Sequence, residues 1–239
     1  MKLNSNIKTI ILAGGKGTRF KPYSFVIPKP LMPINENPII IYLIKSFKKY
    51  DIKNFYVSTG YKSELIKNYL GTGTKFGVKI KYYDETKPLG TAGPISKLKK
   101  DIKNDDYFFL INGDIYTEVN FKEMLNFAKK GDYDMVVGCV TKKTQSSFGV
   151  LNLNKDLIES ITEKPKNIFN ISSGIYVIKN TKNLNLIPKN KFYNMPDLIS
   201  EYLSKNLKVG AYKIKKYWIG IENIENLQTV EKKLIKKFK

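Results

Sequence analysis

Apolar residues run along this chain in short blocks separated by polar, glycine and proline punctuation. Thr9–Leu12 is a brief, mostly apolar run that ends in glycines, the pattern of a buried parallel strand. Gly14–Pro33 is too rich in glycine and proline to be regular for most of its length. Asn37–Pro38 then opens an apolar helix over Ile39–Lys49, with proline at its start. A strand is predicted at Phe55–Ser58 and a helix at Ser63–Leu70, with Ser63 as its N-cap. Val78–Tyr83 alternates as a strand, and Gly90–Leu98 is expected to be helical. Tyr107–Ile111 is another continuous apolar strand and runs into Asn112-Gly113-Asp114.

After a helix at Phe121–Lys129 the character changes. Strand-like runs at Tyr133–Val140, Phe148–Asn152, Leu157–Thr162 and Ile171–Ile178 follow one another without helices. A helix at Met195–Ser204, a strand at Val209–Ile214 and a terminal helix at Ile224–Phe238 close the pattern. Alternating β and α at short spacing argues a doubly wound α/β fold. The expectation is a Rossmann-like mixed, mostly parallel sheet flanked by helices, with a smaller antiparallel extension. No repeat or linker divides the chain, so residues 1–239 are taken as a single domain.

Composition removes whole classes of chemistry. There is no histidine, which excludes Ser-His-Asp and Cys-His catalysis and every imidazole-based zinc site. The single cysteine, Cys139, excludes an intramolecular disulfide framework and fits a reducing cytoplasm. No apolar run is long enough for a membrane span. The formal net charge of +21 invites a nucleic-acid reading. The lysines, however, are spread along the chain in pairs such as Lys48–Lys49 and Lys215–Lys216, which reads as a solvated surface, and no nucleic-acid partner is expected. One of the 42 basic residues is arginine, Arg19. A lysine-saturated chain has kept a rigid bidentate fork at one place.

That place is Leu12-Ala13-Gly14-Gly15-Lys16-Gly17-Thr18-Arg19, a glycine-rich loop directly after a strand. Its backbone N–H groups can turn toward an anion, with Lys16 and Arg19 adding charge. It lacks the Gly-Lys-Ser/Thr of a P-loop, and Phe20 stands where a dinucleotide fingerprint needs its third glycine. Lys29 follows, held between Pro28 and Pro30. Taken alone, such a glycine turn is as often structural; with Arg19 and Lys29 nearby, phosphate binding is the expectation. Asp114, after a buried strand, can hold Mg²⁺ with substrate phosphates completing the shell, although Gly-Asp is also a common turn pair. Glu163-Lys164-Pro165 places an acid and a base at the end of another strand.

These motifs together resemble the sugar-1-phosphate nucleotidyltransferases, or nucleotide-sugar pyrophosphorylases. Leu12–Pro33 is similar to their signature of two glycines, any residue, Gly-Thr-Arg, and a loop ending Pro-Lys-Pro-Leu. Further similar pieces occur in the same order: Gly71–Tyr83, Glu85 with Leu89–Gly93, Asn112–Asp114, Phe148–Val150, Glu163–Pro165, Ser173–Tyr176 and Tyr217–Trp218. The resemblance implies transfer of a nucleotidyl group from an NTP to a sugar 1-phosphate, with Mg²⁺ as cofactor, in nucleotide-sugar and glycan biosynthesis. Residues 1–115 would mainly bind nucleotide and 116–239 sugar phosphate, with no appended domain; a homo-oligomer is left open.

By the same resemblance, Leu12, Ala13, Gly14, Gly15, Gly17, Thr18, Arg19 and Lys29 would surround the nucleotide with Leu89, Gly90 and Thr91. Arg19, Lys29 and Asp114 would be catalytic. Gly149, Glu163, Lys164 and Ser173 would form the sugar-phosphate side. The Leu89–Gly93 loop is more similar to that of guanylyl-transferring members, which slightly favours GTP. One position departs from the family pattern: Gly220 stands where a second metal-binding aspartate is usual, and Glu222 where a glycine is. Glu222 could reach the metal, Asp114 could hold it with phosphates and waters alone, or the chain could bind without catalysing. The second of these is the expectation, and the third is the alternative function.

Overall fold

The computed structural model describes residues 7–102 and 106–238. Strands β1 (Lys8–Ala13), β4 (Asn54–Thr59), β5 (Lys79–Asp84), β6 (Tyr107–Asn112), β8 (Met135–Gln145), β11 (Lys166–Lys179) and β12 (Val209–Lys213) form one sheet. Its order is β12-β8-β11-β6-β1-β4-β5, and only β11 runs against its neighbours. The expected mixed, mostly parallel α/β sheet is therefore present. Short pairs β2 (Pro33–Ile34) with β3 (Asn37–Pro38), β7 (Ile115–Thr117) with β13 (Trp218–Gly220), and β9 (Val150–Asn154) with β10 (Leu157–Thr162) sit around it.

The side-chain alternation of the strands divides the core between two faces. Ile11, Val57, Phe109 and Val177 pack with the apolar stripes of α1 (Ile39–Lys48), α2 (Ser63–Leu70) and α4 (Phe121–Lys130). Ile10, Tyr56, Phe108 and Tyr176 face the other way, toward α3 (Ile95–Leu98) and α5 (Met195–Ser204). Phe47 of α1 anchors the first face: it stacks on Phe121 with ring centroids 3.7 Å apart and meets Phe109 edge-on at 5.3 Å. Truncation by Phe47→Ala is expected to cost about 3–5 kcal/mol, measured by denaturant unfolding, because the ring is fully buried between two aromatics. A loss below about 1 kcal/mol would contradict this packing.

Two local expectations are corrected. Helix α2 is capped by Lys62 in the left-handed region, with Ser63 as its first helical residue. Only Ile95–Leu98 of the stretch Gly90–Leu98 is helical. The preceding residues are held as turns because the Ala92 and Gly93 N–H groups donate to the Tyr193 carbonyl instead of to a helical ladder. The Gly14–Pro33 segment holds three single 3-10 turns, at Thr18–Phe20, Tyr23–Phe25 and Lys29–Leu31. Strands β8 and β11 run on past the sheet as a two-stranded ribbon, Thr141–Gln145 against Lys166–Asn170, carrying the β9–β10 hairpin.

Candidate active site

The chain winds from β1 to β4 to β5 on one side of β1, then returns to place β6 on the other. In open α/β sheets this reversal leaves a crevice at the carboxyl ends of the flanking strands. The loops leaving β1 and β6 meet there: Leu12 is in register with Asn112, and the Gly113 N–H donates to the Leu12 carbonyl at 2.8 Å. A Cβ on Gly113 would lie 2.7 Å from that carbonyl oxygen, so glycine is required for the two loops to approach this closely.

A cleft of about 340 Å³ opens over this junction. Of the residues predicted to bind nucleotide, Leu12, Ala13, Gly14, Gly15, Gly17, Lys29, Gly90 and Thr91 line it, together with Asp114. Thr18, Arg19 and Leu89 do not. Thr18 is exposed on its 3-10 turn, and Leu89 is buried with its N–H donating to Glu85. Thr91 is tied to α5, its hydroxyl accepting from the Met195 N–H at 2.8 Å. The Tyr193 phenol donates to Glu201 at 2.6 Å; burial, reinforced by that carboxylate, pushes it up to about 12, so it stays protonated at ordinary pH.

A second cleft of about 210 Å³ adjoins the first and shares Lys29, Asn112 and Asp114 with it. Arg19, Ser172, Ser173, Trp218 and Glu222 supply its other charged and polar side chains, and Gly220 also lines it. An irregularity in β11 shapes it: register with β8 slips between Ser172 and Tyr176, where Gly174 adopts φ 71. A Cβ on Gly174 would sit 2.6 Å from Asn112 Nδ2. Such bulges beside a site re-aim side chains. Trp218 donates its indole N–H to the Ser173 carbonyl at 3.0 Å. Asn112 Oδ1 and Ser173 Oγ are buried without a hydrogen-bond partner among the described residues. Orphaned polar atoms beside a cleft are the kind that a ligand satisfies.

The charges in the second cleft are already paired. Lys29 Nζ donates to Asp114 Oδ2 at 2.5 Å, and Arg19 Nη1 to Glu222 Oε2 at 2.5 Å. Glu222 is thus engaged by Arg19, and no group of three metal-ligating side chains exists among the described residues. Gly149, Glu163 and Lys164 lie on the ribbon and its hairpin and line neither cleft. Glu163 and Lys164 are exposed and face each other at 3.7 Å, while Glu163 Oε2 sits 3.1 Å from where a Gly149 Cβ would be. Of the predicted sugar-side residues, Ser173 alone lines the second cleft. Glu85, named in the sequence only as part of a family-like piece and given no site role, lines the first cleft while accepting from Ser58 Oγ and the Leu89 N–H. Its position just past β5, at the carboxyl edge of a parallel strand, is the signal for that role.

Residues 8–237 match the model of the family described as nucleotidyl transferase. The chain belongs to that family. Among related sequences, a probable mannose-1-phosphate guanylyltransferase 1 of Oryza sativa subsp. japonica is 33% identical over 72% of this chain and 50% of its own length. A mannose-1-phosphate guanyltransferase of Saccharomyces cerevisiae is 32% identical over the same shares. This nucleotidyl transferase chain spans about half the length of the curated relatives it matches. HddC from Yersinia pseudotuberculosis, complexed with GMP-PN, has a TM-score of 0.74 and 27% identity over 95% of this chain and 99% of that one. A putative glucose-1-phosphate thymidylyltransferase from Bacillus anthracis, at 24% identity, has a TM-score of 0.76 over 95% of this chain and 94% of that one, and shares the fold.

Proposed function

We propose that this chain transfers a nucleotidyl group from an NTP to a sugar 1-phosphate, giving an NDP-sugar and pyrophosphate. The observation that carries the reading is the pair of adjoining clefts that share Lys29, Asn112 and Asp114. The reaction needs two anions brought together in line, and a shared wall bearing one cation and one carboxylate is where they would meet. The nucleotide lies in the first cleft, with its base and ribose between Leu12, Ala13 and the Gly90–Thr91 turn. Its phosphates lie along Gly14–Gly17 toward Lys29 and Arg19. The sugar phosphate enters the second cleft against Ser173 and Trp218.

A phosphate oxygen of the sugar phosphate attacks the α-phosphorus and forms a new P–O bond. The bond from the α-phosphorus to the bridging oxygen breaks, and pyrophosphate leaves with that oxygen and its electron pair. No covalent enzyme intermediate is required, so histidine is not missed. Lys29 and Arg19 neutralise and orient the phosphates, which is most of what such a reaction asks of a protein. The donor set fits Mg²⁺: Asp114 offers a half-exposed carboxylate at the meeting point, the acceptor Asn112 Oδ1 is beside it, and Mg²⁺ is commonly held by one or two carboxylates plus substrate phosphates. When bound there it would supply charge stabilisation at the phosphates. GTP is the favoured nucleotide, supported by the guanylyltransferase relatives and by the GMP-PN complex of HddC.

Pyrophosphate release, followed with inorganic pyrophosphatase over the common NTPs and a panel of sugar 1-phosphates, tests the reading. Absence of release with every pair overturns it in favour of a chain that only binds. On the sugar side, the family resemblance assigns Lys164 to the sugar phosphate although it lines neither cleft here, so Lys164→Ala is expected to raise KM for the sugar phosphate at least about threefold while leaving KM for the NTP within twofold. Equal changes in both constants would remove Lys164 from the sugar site.

A further inference from the structure

The second cleft draws its four charged side chains from distant parts of the chain and cancels them in pairs, Lys29 with Asp114 and Arg19 with Glu222. The Arg19–Glu222 pair is not an accident of two long side chains. Phe20, next to Arg19, and Ile221, next to Glu222, are both buried in one apolar cluster with Met32, Ile34 and Tyr116. The Ile221 N–H donates to the Asp114 carbonyl at 2.8 Å. The Glu222 N–H donates to Asn226 Oδ1 at 2.9 Å, at the start of α6 (Ile224–Phe238). The backbone on both sides is therefore fixed so that the two side chains meet, while the side chains themselves remain 73% and 65% exposed.

A solvated ion pair of this kind is weak, whereas an arginine fork on a polyphosphate is charge-assisted and bidentate. We propose that Glu222 is the resting counter-ion of Arg19. It holds the guanidinium at the rim of the cleft before nucleotide binds and gives it up to the polyphosphate. Glu222 is then left as a second carboxylate in the cleft of Asp114, where a divalent cation bound with the nucleotide would offset its charge. The position vacated by an aspartate at Gly220 is thus answered two residues later by a group with a different first task. Glu222 acts here as a positioning residue. The inference rests on the nucleotidyl-transfer reading and adds an exchange of partners to it.

Trp218, the single tryptophan, lines the same cleft, so its fluorescence reports occupancy without turnover. GTP is titrated into the full chain and into Glu222→Gln, first in EDTA and then in Mg²⁺, with equilibrium dialysis of labelled GTP as a second measure of the same Kd. In EDTA the variant is expected to bind GTP about two- to fivefold more tightly, the range set by loss of a weak competing pair. The tightening produced by Mg²⁺ is expected to be smaller in the variant than in the native chain. In an Arg19→Met background, Glu222→Gln should change the EDTA Kd by less than twofold. A purely structural role for Glu222 would instead weaken binding in both buffers. Unchanged or weaker binding of Glu222→Gln in EDTA, or the same tightening with and without Arg19, overturns the exchange while pyrophosphate release by the native chain leaves the underlying reading intact. Absence of both nucleotide binding and pyrophosphate release overturns the two together.

Discussion

Asp114→Asn is expected to lower turnover by about 10²- to 10³-fold while the protein stays folded. The substitution keeps the size of the side chain and removes its negative charge at the wall shared by both clefts. Loss of one preorganised electrostatic contact at a reacting phosphate is worth about that much. The fold should not notice. The Asp114 side chain is 34% exposed, so the ion pair it forms with Lys29 is partly solvated and adds little to folding, and its carbonyl still accepts from the Ile221 N–H. The check is steady-state turnover beside a thermal melt: a midpoint within about 3 °C of the native chain shows that catalysis and not folding was lost. Turnover within threefold of native would remove Asp114 from the reaction.

Lys29→Met is expected to reduce kcat/KM by about 10²-fold or more, with most of the loss in kcat. The stem of Lys29 is packed: its Cβ lies 3.1 Å from where a Gly17 Cβ would be, and only 16% of the side chain is exposed. Methionine fills the same stem volume, so the experiment removes the ammonium and little else. That ammonium sits between the carboxylate of Asp114 and the face of Phe20, 5.5 Å from the ring centroid. It is therefore held at the wall where phosphate charge would accumulate. A rise in KM for the NTP with kcat unchanged would make Lys29 a binding group only.

How much of this was legible beforehand follows the range of the interactions. The continuous apolar run ending in glycine found β1, and the one ending in Asn112-Gly113-Asp114 found β6, because buried parallel strands advertise themselves locally. Ala92 and Gly93 defeated the helix expected at Gly90–Leu98: their N–H groups go to Tyr193, a hundred residues on. Ser63 lost the cap to Lys62 because the chain enters α2 through a left-handed residue, which a side-chain preference does not reveal. At the site, the glycine loop, Lys29 and Asp114 were readable as chemistry after strand ends. Glu163 and Lys164 were read as neighbours of the same sheet edge, yet β11 carries them out along a ribbon that lines neither cleft. The Arg19–Glu222 pair spans 203 residues and depends on the short β7–β13 pairing, so no local pattern announces it.

The central claim is that two clefts meeting at Lys29 and Asp114 join a nucleotide to a sugar phosphate. Its most direct test mixes the native chain with GTP, Mg²⁺ and a panel of sugar 1-phosphates, measures pyrophosphate, and weighs the nucleotide product by mass spectrometry. An NDP-sugar and pyrophosphate are expected in equal amounts with at least one sugar phosphate. Tight binding of nucleotide with neither product, for GTP and every other common NTP, would contradict it.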